Sequence, residues 1–238
     1  MPKPSAGKIY WIAYILPEDE ELGIFLQQDN YLDKEQRTAN DLDESERPLN
    51  QHWSWDRILR SCFIKQGDVV QGLYFFEDHF DEDTIRRNFD FYEPRTVHES
   101  SLSPCIHSII ASKLGYQDKA YKLYLRTARL DLDDYNEEVH QGLHITSMAG
   151  TWMSIVEGFA GKRARDGQLH FAPTLPDEWE GYSFKILHQN SRLKVEVDPN
   201  NISIYCERGD TVDRYLYGEQ YQVTPDEPVT IAAQTASA

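Results

Sequence analysis

Up to about Gly161, apolar residues recur at spacings of three and four, the period of an amphipathic helix. One such stretch covers residues 55–78 and includes Ile58, Leu59 and Cys62. It predicts one helix, or two helices divided near Gly67. Because short loops join it to similar segments, we expect helical hairpins packed on one another. Those further helices are predicted over residues 83–91, 104–114 and 117–130.

After Gly161, apolar and polar residues alternate with period two, and turn signals such as Pro-Asn-Asn and Arg-Gly-Asp interrupt the alternation. This pattern predicts short antiparallel strands that form a β-sandwich beginning near Gln168. Residues 18–49 are polar and lack sustained periodicity, which predicts a long surface loop. The chain therefore divides into a helical domain, a β-sandwich domain and a frayed tail, over residues 1–165, 166–224 and 225–238.

Hydroxyl and imidazole groups gather at two of the predicted helix starts. The groups are Ser100, Ser101 and Ser103 before Pro104 at one start, and His144, Thr146 and Ser147 at the other. A helix N-terminus offers unpaired N–H donors and a partial positive charge, so two starts that converge would bind an oxyanion. The alternative is structural, because Ser and Thr are also ordinary helix caps. His98, His107 and His144 could likewise be core histidines.

The charge balance limits the classes of ligand. The 238 residues carry a formal net charge of -16, so nonspecific attraction to nucleic acid or to an anionic membrane is not expected. Any anionic ligand must then be held by local donors. The cysteines, Cys62, Cys105 and Cys206, lie far apart and are expected to be reduced and buried.

Neither a membrane anchor nor a zinc motif is predicted. The apolar run over residues 9–16 is far shorter than the roughly 20 residues that span a bilayer, and no cleavage site follows it. We therefore expect a cytoplasmic protein. The chain contains no Cys-x-x-Cys or His-Glu-x-x-His spacing, so a zinc site is not supported.

Several long motifs, in order, resemble the maltose phosphorylase family, the family 65 glycoside hydrolases and phosphorylases that also include kojibiose and trehalose phosphorylases. The resemblance runs from about Glu21 to about Asp210. It rests on LGIFLQQD (22–29), RPLNQHWSWDRILRSCFIKQGDVVQGLYFFED (47–78), NFDFYEPRTVHESSLSP (88–104), YLRTARLDLDDYN (124–136) and GLHITSMAGTW (142–152). The resemblance implies part of an (α/α)6 barrel followed by a small C-terminal antiparallel β-sandwich.

The resemblance also implies a reaction. Members of the family carry out the inverting phosphorolysis of an α-linked glucose disaccharide to β-glucose 1-phosphate and a free sugar. Inorganic phosphate is then the co-substrate and nucleophile, no cofactor is needed, and one carboxylic acid protonates the leaving oxygen. The implied partners are the disaccharide and phosphate, with maltose favoured, and a homodimer is common in the family.

Individual residues carry over from the family's motifs. Lys65 and Gln66 match a Lys-Gln pair that contacts the transferred glucose. An ammonium and an amide are suited to hydrogen bonds with the hydroxyl groups of a sugar. Ser100, Ser101, His144, Thr146 and Ser147 match the motifs that line the phosphate pocket. The second assignment agrees with the helix-start chemistry inferred from the residues alone.

The family's general acid is a glutamate in a Gly-Pro-Asp/Asn-Glu segment, and that segment does not occur here. We therefore expect a C-terminal portion of a longer enzyme that is inactive alone and exposes apolar faces. Glu93, Glu99 and Glu138 lie near the motifs, and Glu99 as a base would suit a hydrolase. The alternative for all three is capping or ion pairing.

Other roles stay open at this point. Trp53 and Trp55 could stack on a sugar or pack, and Arg95 could contact phosphate or form a surface ion pair. Two further functions are a non-catalytic sugar or phosphate binding remnant, and one half of a split enzyme whose N-terminal half is encoded separately.

Overall fold

In the computed structural model the described residues are 17–234. The apolar run over residues 9–16 and the end of the expected tail, residues 235–238, lie outside them. In the described part no helix is both long and apolar enough to cross a membrane.

The first part of the described chain is helical, as predicted. Its α-helices are α1 Leu49–His52, α2 Trp55–Arg60, α3 Asp68–Phe75, α4 Glu82–Tyr92, α5 Ser103–Lys113, α6 Gln117–Ala128 and α7 Ile145–Met153. A π-helix, Ser154–Phe159, continues α7. Neighbouring helices pack as hairpins, most closely α5 against α6. That these hairpins form part of an (α/α)6 barrel remains a prediction.

Local signals fix the helix ends. Asp81 accepts a hydrogen bond from the N–H of Thr84 and so caps the start of α4. Gly115, which has a φ of 79°, lies just after α5, in the left-handed conformation that glycine adopts most readily. The predicted helices over residues 83–91, 104–114 and 117–130 therefore lie close to the observed bounds.

The expected long helix over residues 55–78 is two helices, which confirms the second of the two alternatives. Between α2 and α3, Ile64 forms a parallel bridge with Thr96. The N–H of Ile64 bonds to the carbonyl of Arg95, and its carbonyl accepts from the N–H of Val97. These bonds tie the turn before α3 to the segment that leads into α5.

Residues 18–49, expected to be one long loop, contain more structure than predicted. Strands β1 (Glu18–Asp19) and β2 (Ile24–Phe25) form an antiparallel hairpin. Ile24 and Phe25 are buried, and Asn88 on α4 accepts the N–H of Phe25 at 2.8 Å. The hairpin is held by contacts distant in sequence, which local periodicity does not reveal. Short 3-10 turns span Tyr31–Asp33, Ala39–Asp41 and Glu44–Glu46.

The C-terminal part forms two four-stranded sheets. Its strands are β3 Arg163–Arg165, β4 Gln168–Phe171, β5 Tyr182–His188, β6 Ser191–Val197, β7 Asn201–Arg208, β8 Val212–Leu216, β9 Glu219–Val223 and β10 Val229–Ala232. The strand orders are β10-β7-β6-β5 and β3-β4-β8-β9. The prediction of purely antiparallel strands is wrong at one pair, because β4 and β8 are parallel. The second sheet is therefore mixed.

Alternation along the strands builds the core between the sheets. In β6, Leu193, Val195 and Val197 are buried, and polar residues lie between them. Apolar residues of both sheets form one buried cluster, as a sandwich requires. Strand β10 pairs with β7, so part of the segment expected to be a frayed tail belongs to this sheet.

The π-helix joins the two parts. Val156 and Ala160 are buried in the sandwich core, whereas Phe159 is buried in the helical core. The rings of Phe159 and Trp179 lie 5.2 Å apart, edge to face. The helices and the sandwich therefore share packed side chains at this junction.

Candidate functional site

The start of α7 carries three of the residues predicted to bind phosphate. His144 is the residue before the helix, and Thr146 and Ser147 lie in its first turn. Thr146 is exposed and Ser147 is buried. The N–H groups of Ile145 and Ser147 donate to the carbonyls of Leu143 and His144. The helix dipole still gives this end a partial positive charge.

Asp131 holds His144 in place. Its Oδ1 lies 2.5 Å from Nδ1 of His144, and its Oδ2 accepts the backbone N–H of His144 at 2.9 Å. The hydrogen bonds from His144 hold the pKa of the Asp131 carboxyl below its usual value. The sequence analysis missed this residue, although it lies within the motif over residues 124–136. Its role depends on a loop that returns to the start of α7.

Ser147 is a polar group without a partner. Its side chain is 3% exposed, and no hydrogen bond to its Oγ is found in the described structure. A buried hydroxyl without a partner costs about 1–3 kcal/mol. The hydroxyl therefore has an unfilled hydrogen bond at a buried atom beside this helix turn.

The serines before α5 occupy a tight turn. Ser100 Oγ accepts the N–H of Leu102 at 3.2 Å, and Ser103 Oγ lies 3.2 Å from Nδ1 of His98. Ser100 and Ser101 are partly exposed. Ser103 is thus engaged with the core, while the other two serines border solvent.

The starts of α5 and α7 lie at the same end of the helical layer. A Cβ placed on Gly150 would lie 2.8 Å from Cβ of Cys105, and one on Gly158 would lie 3.5 Å from Cα of Ile109. The later residue of α7 and its π-helical continuation contacts the later residue of α5, so the two helices run parallel. Ser147 lies one turn before Gly150 on the same face. It therefore faces toward the start of α5, although no hydrogen bond directly joins the two described serine groups.

Lys65 and Gln66 lie in the turn before α3. Lys65 is partly buried and Gln66 is exposed. The next residue, Gly67, lies against His107, because a Cβ added there would be 2.5 Å from Nε2. The turn is thereby held against α5, and the Ile64–Thr96 bridge holds it to the strand-like segment before Ser100.

His107, which contacts this turn at Gly67, packs against His98 in the core. Their rings lie 4.8 Å apart and perpendicular. Burial, together with the charge of Lys119, lowers the pKa of His107 to about 3. Burial and the neighbouring His107 hold the pKa of His98 well below its usual value. Both are core histidines, as one alternative held, but neither ring nitrogen of His107 has a hydrogen-bond partner in the described structure.

Two of the three candidate carboxylates, Glu99 and Glu93, form ion pairs with protein groups. Glu99 forms an ion pair with Arg47 at 2.9 Å and accepts the N–H of Leu49 at 2.7 Å. Glu93 pairs with Lys119. These contacts support the ion-pairing alternative for both residues.

Glu138, the third candidate carboxylate, lies near His144. Its Oε2 lies 3.9 Å from Nε2 of His144, and its Oε1 lies 3.5 Å from Nδ2 of Asn50. The first distance is too long for a hydrogen bond.

The remaining aromatic and cationic candidates differ in placement. Trp53 is buried, with the guanidinium of Arg57 3.5 Å from its ring centroid, so it packs. Trp55 is 67% exposed. Arg95 bonds to Oε1 of Gln36 and to the carbonyl of Phe91 rather than to a carboxylate. All three cysteines are free and buried, as predicted.

Helical hairpins are followed by a β-sandwich in the described structure, the arrangement that the resemblance implies. The chain belongs to glycosyl hydrolase family 65. Residues 6–153 match the family's central catalytic domain, and residues 163–223 match its C-terminal domain. The resemblance inferred from the motifs is confirmed.

Known members of the family are longer than this chain. The chain is 54% identical over 203 residues to a maltose phosphorylase of Bacillus subtilis, covering 85% of this chain and 27% of that protein. It is 41% identical over 218 residues to an alpha,alpha-trehalose phosphorylase of Thermoanaerobacter brockii, covering 92% and 28%. A solved human-microbiome protein provisionally titled a kojibiose phosphorylase superposes with a TM-score of 0.83 at 39% identity, covering 90% and 30%.

Proposed function

We propose that these residues form the phosphate side, and part of the sugar side, of a disaccharide phosphorylase site. The reaction is inverting phosphorolysis of an α-linked glucose disaccharide, with maltose favoured, to β-glucose 1-phosphate and glucose. The observation that carries the proposal is the start of α7, where Asp131 fixes His144 and the Ser147 hydroxyl has no partner in the described structure, at the positive end of the helix dipole. Relatives named as maltose and trehalose phosphorylases support it.

The arrangement suits attack by phosphate. The Ser147 hydroxyl and the His144 ring, at the positive end of the α7 dipole, would hold the dianion, while Ser100 and Ser101 would approach from the start of α5. Lys65 and Gln66 would bind hydroxyl groups of the transferred glucose. Holding both reactants in register lowers the entropic part of the barrier. Since phosphate is the nucleophile, no protein base is required.

The proton for the leaving oxygen would come from outside these 238 residues. No Gly-Pro pair occurs in the sequence, and Glu93 and Glu99 are held in ion pairs. A general acid must reach the glycosidic oxygen with its proton available. We propose that the 238 residues by themselves bind phosphate without turning over maltose.

A second candidate function is non-catalytic binding that becomes catalytic only with a complementing polypeptide. It is favoured by the exposed apolar stripe on α7, where Ile145, Met148 and Trp152 are 75%, 49% and 46% exposed. This stripe flanks Ser147, so a polypeptide covering it would also enclose the phosphate site. The covering partner would be the missing barrel half, or a second copy in a homodimer.

The test of phosphate binding compares three variants of the chain. Millimolar phosphate should raise the melting temperature of the wild type, because a ligand that binds only the folded state stabilises it. His144→Ala and Ser147→Ala should weaken phosphate binding about tenfold each, since each removes a hydrogen bond to a charged group. Isothermal titration calorimetry gives the affinities.

Ser154→Ala is the matched control. Ser154 is also buried, also lacks a partner for its hydroxyl and continues the same helix, but it lies in the π-helix away from the start of α7. Its loss should leave phosphate affinity unchanged. Equal weakening in Ser154→Ala and Ser147→Ala would contradict the site.

Activity is tested separately. The 238-residue chain, mixed with maltose and phosphate, should release no glucose 1-phosphate above the buffer blank. Steady release would show that a carboxylate within the chain acts as the acid. Loss of that release in Glu138→Gln would then identify Glu138 as the acid.

A further inference from the structure

Both carboxylate oxygens of Asp131 bond to one residue, His144. Oδ1 lies 2.5 Å from Nδ1 of His144, and Oδ2 accepts the His144 backbone N–H at 2.9 Å. The two bonds fix the ring and the chain at the residue that begins α7. Asp131 is 15% exposed at its side chain, so water competes poorly for these bonds.

No other charged partner explains this carboxylate. Within residues 17–234, Asp131 forms no ion pair with a lysine or an arginine. Two residues later, Asp133 does the opposite and pairs with Arg129 on the exposed surface at 2.6 Å. Asp131 therefore bonds to His144, whereas Asp133 pairs with Arg129 at the local helix end.

The bonds to Asp131 determine what the ring can offer a ligand. Since the ionised carboxylate accepts only, Nδ1 must carry a proton, which leaves Nε2 as the ring atom free for contact. The one charged side chain described near Nε2 is Glu138, at 3.9 Å, beyond hydrogen-bond distance. A neutral ring with its proton on Nδ1 would turn a lone pair at Nε2 toward phosphate, whose ionised oxygens also only accept. The ring that binds phosphate must therefore carry a second proton, on Nε2, and the carboxylate of Asp131 lies beside the resulting positive charge.

We infer that Asp131 is a positioning residue for phosphate binding, holding the His144 ring in one orientation through Nδ1–H so that Nε2–H donates to the phosphate. This inference rests on the proposed function. The same logic makes carboxylates that orient metal-bound histidines worth about 10–100-fold in affinity or activity. A loss of about tenfold in phosphate affinity is therefore expected when the carboxylate is removed.

The test uses Asp131→Asn, with Asp133→Asn as its matched control. In Asp131→Asn, the amide oxygen can still accept the backbone N–H, but its NH2 group would donate to Nδ1. The neutral ring should then switch to the tautomer protonated at Nε2, a change known from the aspartate of serine protease triads. The 15N chemical shifts of labelled histidine report the tautomer, and His144→Gln identifies the His144 signals.

The expected result is a tautomer switch without phosphate and about tenfold weaker phosphate binding in Asp131→Asn, because a neutral Nε2–H donor replaces a cationic one. Neither change is expected in Asp133→Asn. Equal phosphate affinity in the wild type and Asp131→Asn would overturn the inference while leaving the proposed function in place. If the wild type binds no phosphate, the proposed function itself is wrong. Should Asp131→Asn not fold, the wild-type spectrum alone decides, because a neutral ring protonated at Nε2 contradicts the assignment.

Discussion

Two buried histidines, His98 and His107, make stability depend on pH. Both pKa values are lowered chiefly by burial, that of His107 to about 3. An unfolded histidine binds a proton near pH 6.5, but the folded chain does not until much lower pH. The unfolded state therefore binds more protons in this window, and stability falls as pH drops from about 6.5 toward 3.

This gives a prediction for His107→Leu, which removes the titrating group and keeps an apolar side chain. Between pH 7 and pH 5 the wild type should lose about 2 kcal/mol of unfolding free energy through His107 alone, at about 1.4 kcal/mol per pH unit below 6.5. Urea denaturation at both pH values measures the loss, which should be smaller in the variant by that amount. In the exposed His79→Gln, the dependence should match the wild type. Equal loss in His107→Leu and wild type would refute the assignment.

The candidate site could be predicted from sequence only where residues belong to recognisable motifs. Ser100, Ser101, Thr146 and Ser147 are predictable because hydroxyls before an apolar helical run are a local signal, and His144 adjoins that run. The role of these five residues in phosphate binding stays a prediction. Asp131 also lies in a motif, but nothing local indicates its contact with His144. From the sequence alone, an aspartate in an acidic stretch is expected to be a surface charge. In the structure, the loop brings Asp131 to His144.

Among the elements, the helices were predictable because their caps and periodicity are local. Gly115 and the Asp81 cap lie within a residue or two of the ends they mark. The β1–β2 hairpin, the parallel β4–β8 pair and the π-helix depend instead on contacts far apart in sequence. The alternation in β4 and β8 predicts strands but not the direction in which they pair.

The close packing of α5 against α7 gives a second prediction. Gly150→Ala should destabilise the chain by about 1–3 kcal/mol, because the new Cβ would meet Cys105 at 2.8 Å and Cγ2 of Thr127 at 3.2 Å. Gly72→Ala in α3 is the matched control, since nothing lies within 4 Å of its new Cβ. That variant should be neutral or up to about 1 kcal/mol more stable. Thermal denaturation of both variants decides, and a neutral Gly150→Ala would show that the two helices are not in contact there.

At the scale of the whole molecule, one buried carboxylate joins the helices to the sandwich. Glu77 follows α3 and is 6% exposed. It pairs with Lys113 at the end of α5 at 3.2 Å, and with Arg163 and Arg165 of β3 at 2.7 Å and 3.1 Å. Burial opposes ionisation, but Arg163 and Lys113 outweigh it and hold the pKa of Glu77 below its usual value.

Glu77→Gln should therefore weaken the junction more than either part. Removing one partner of a buried ion pair leaves the other charges unpaired and costs about 3–5 kcal/mol. Because the lost contacts cross between the helices and β3, calorimetry should show one cooperative transition in the wild type and two in the variant, with the sandwich melting separately. Asp56→Asn, which breaks the exposed pair with Arg60, is the control and should cost less than about 1 kcal/mol. A single unshifted transition in Glu77→Gln would mean that apolar packing at Val156 and Phe159 alone couples the two parts.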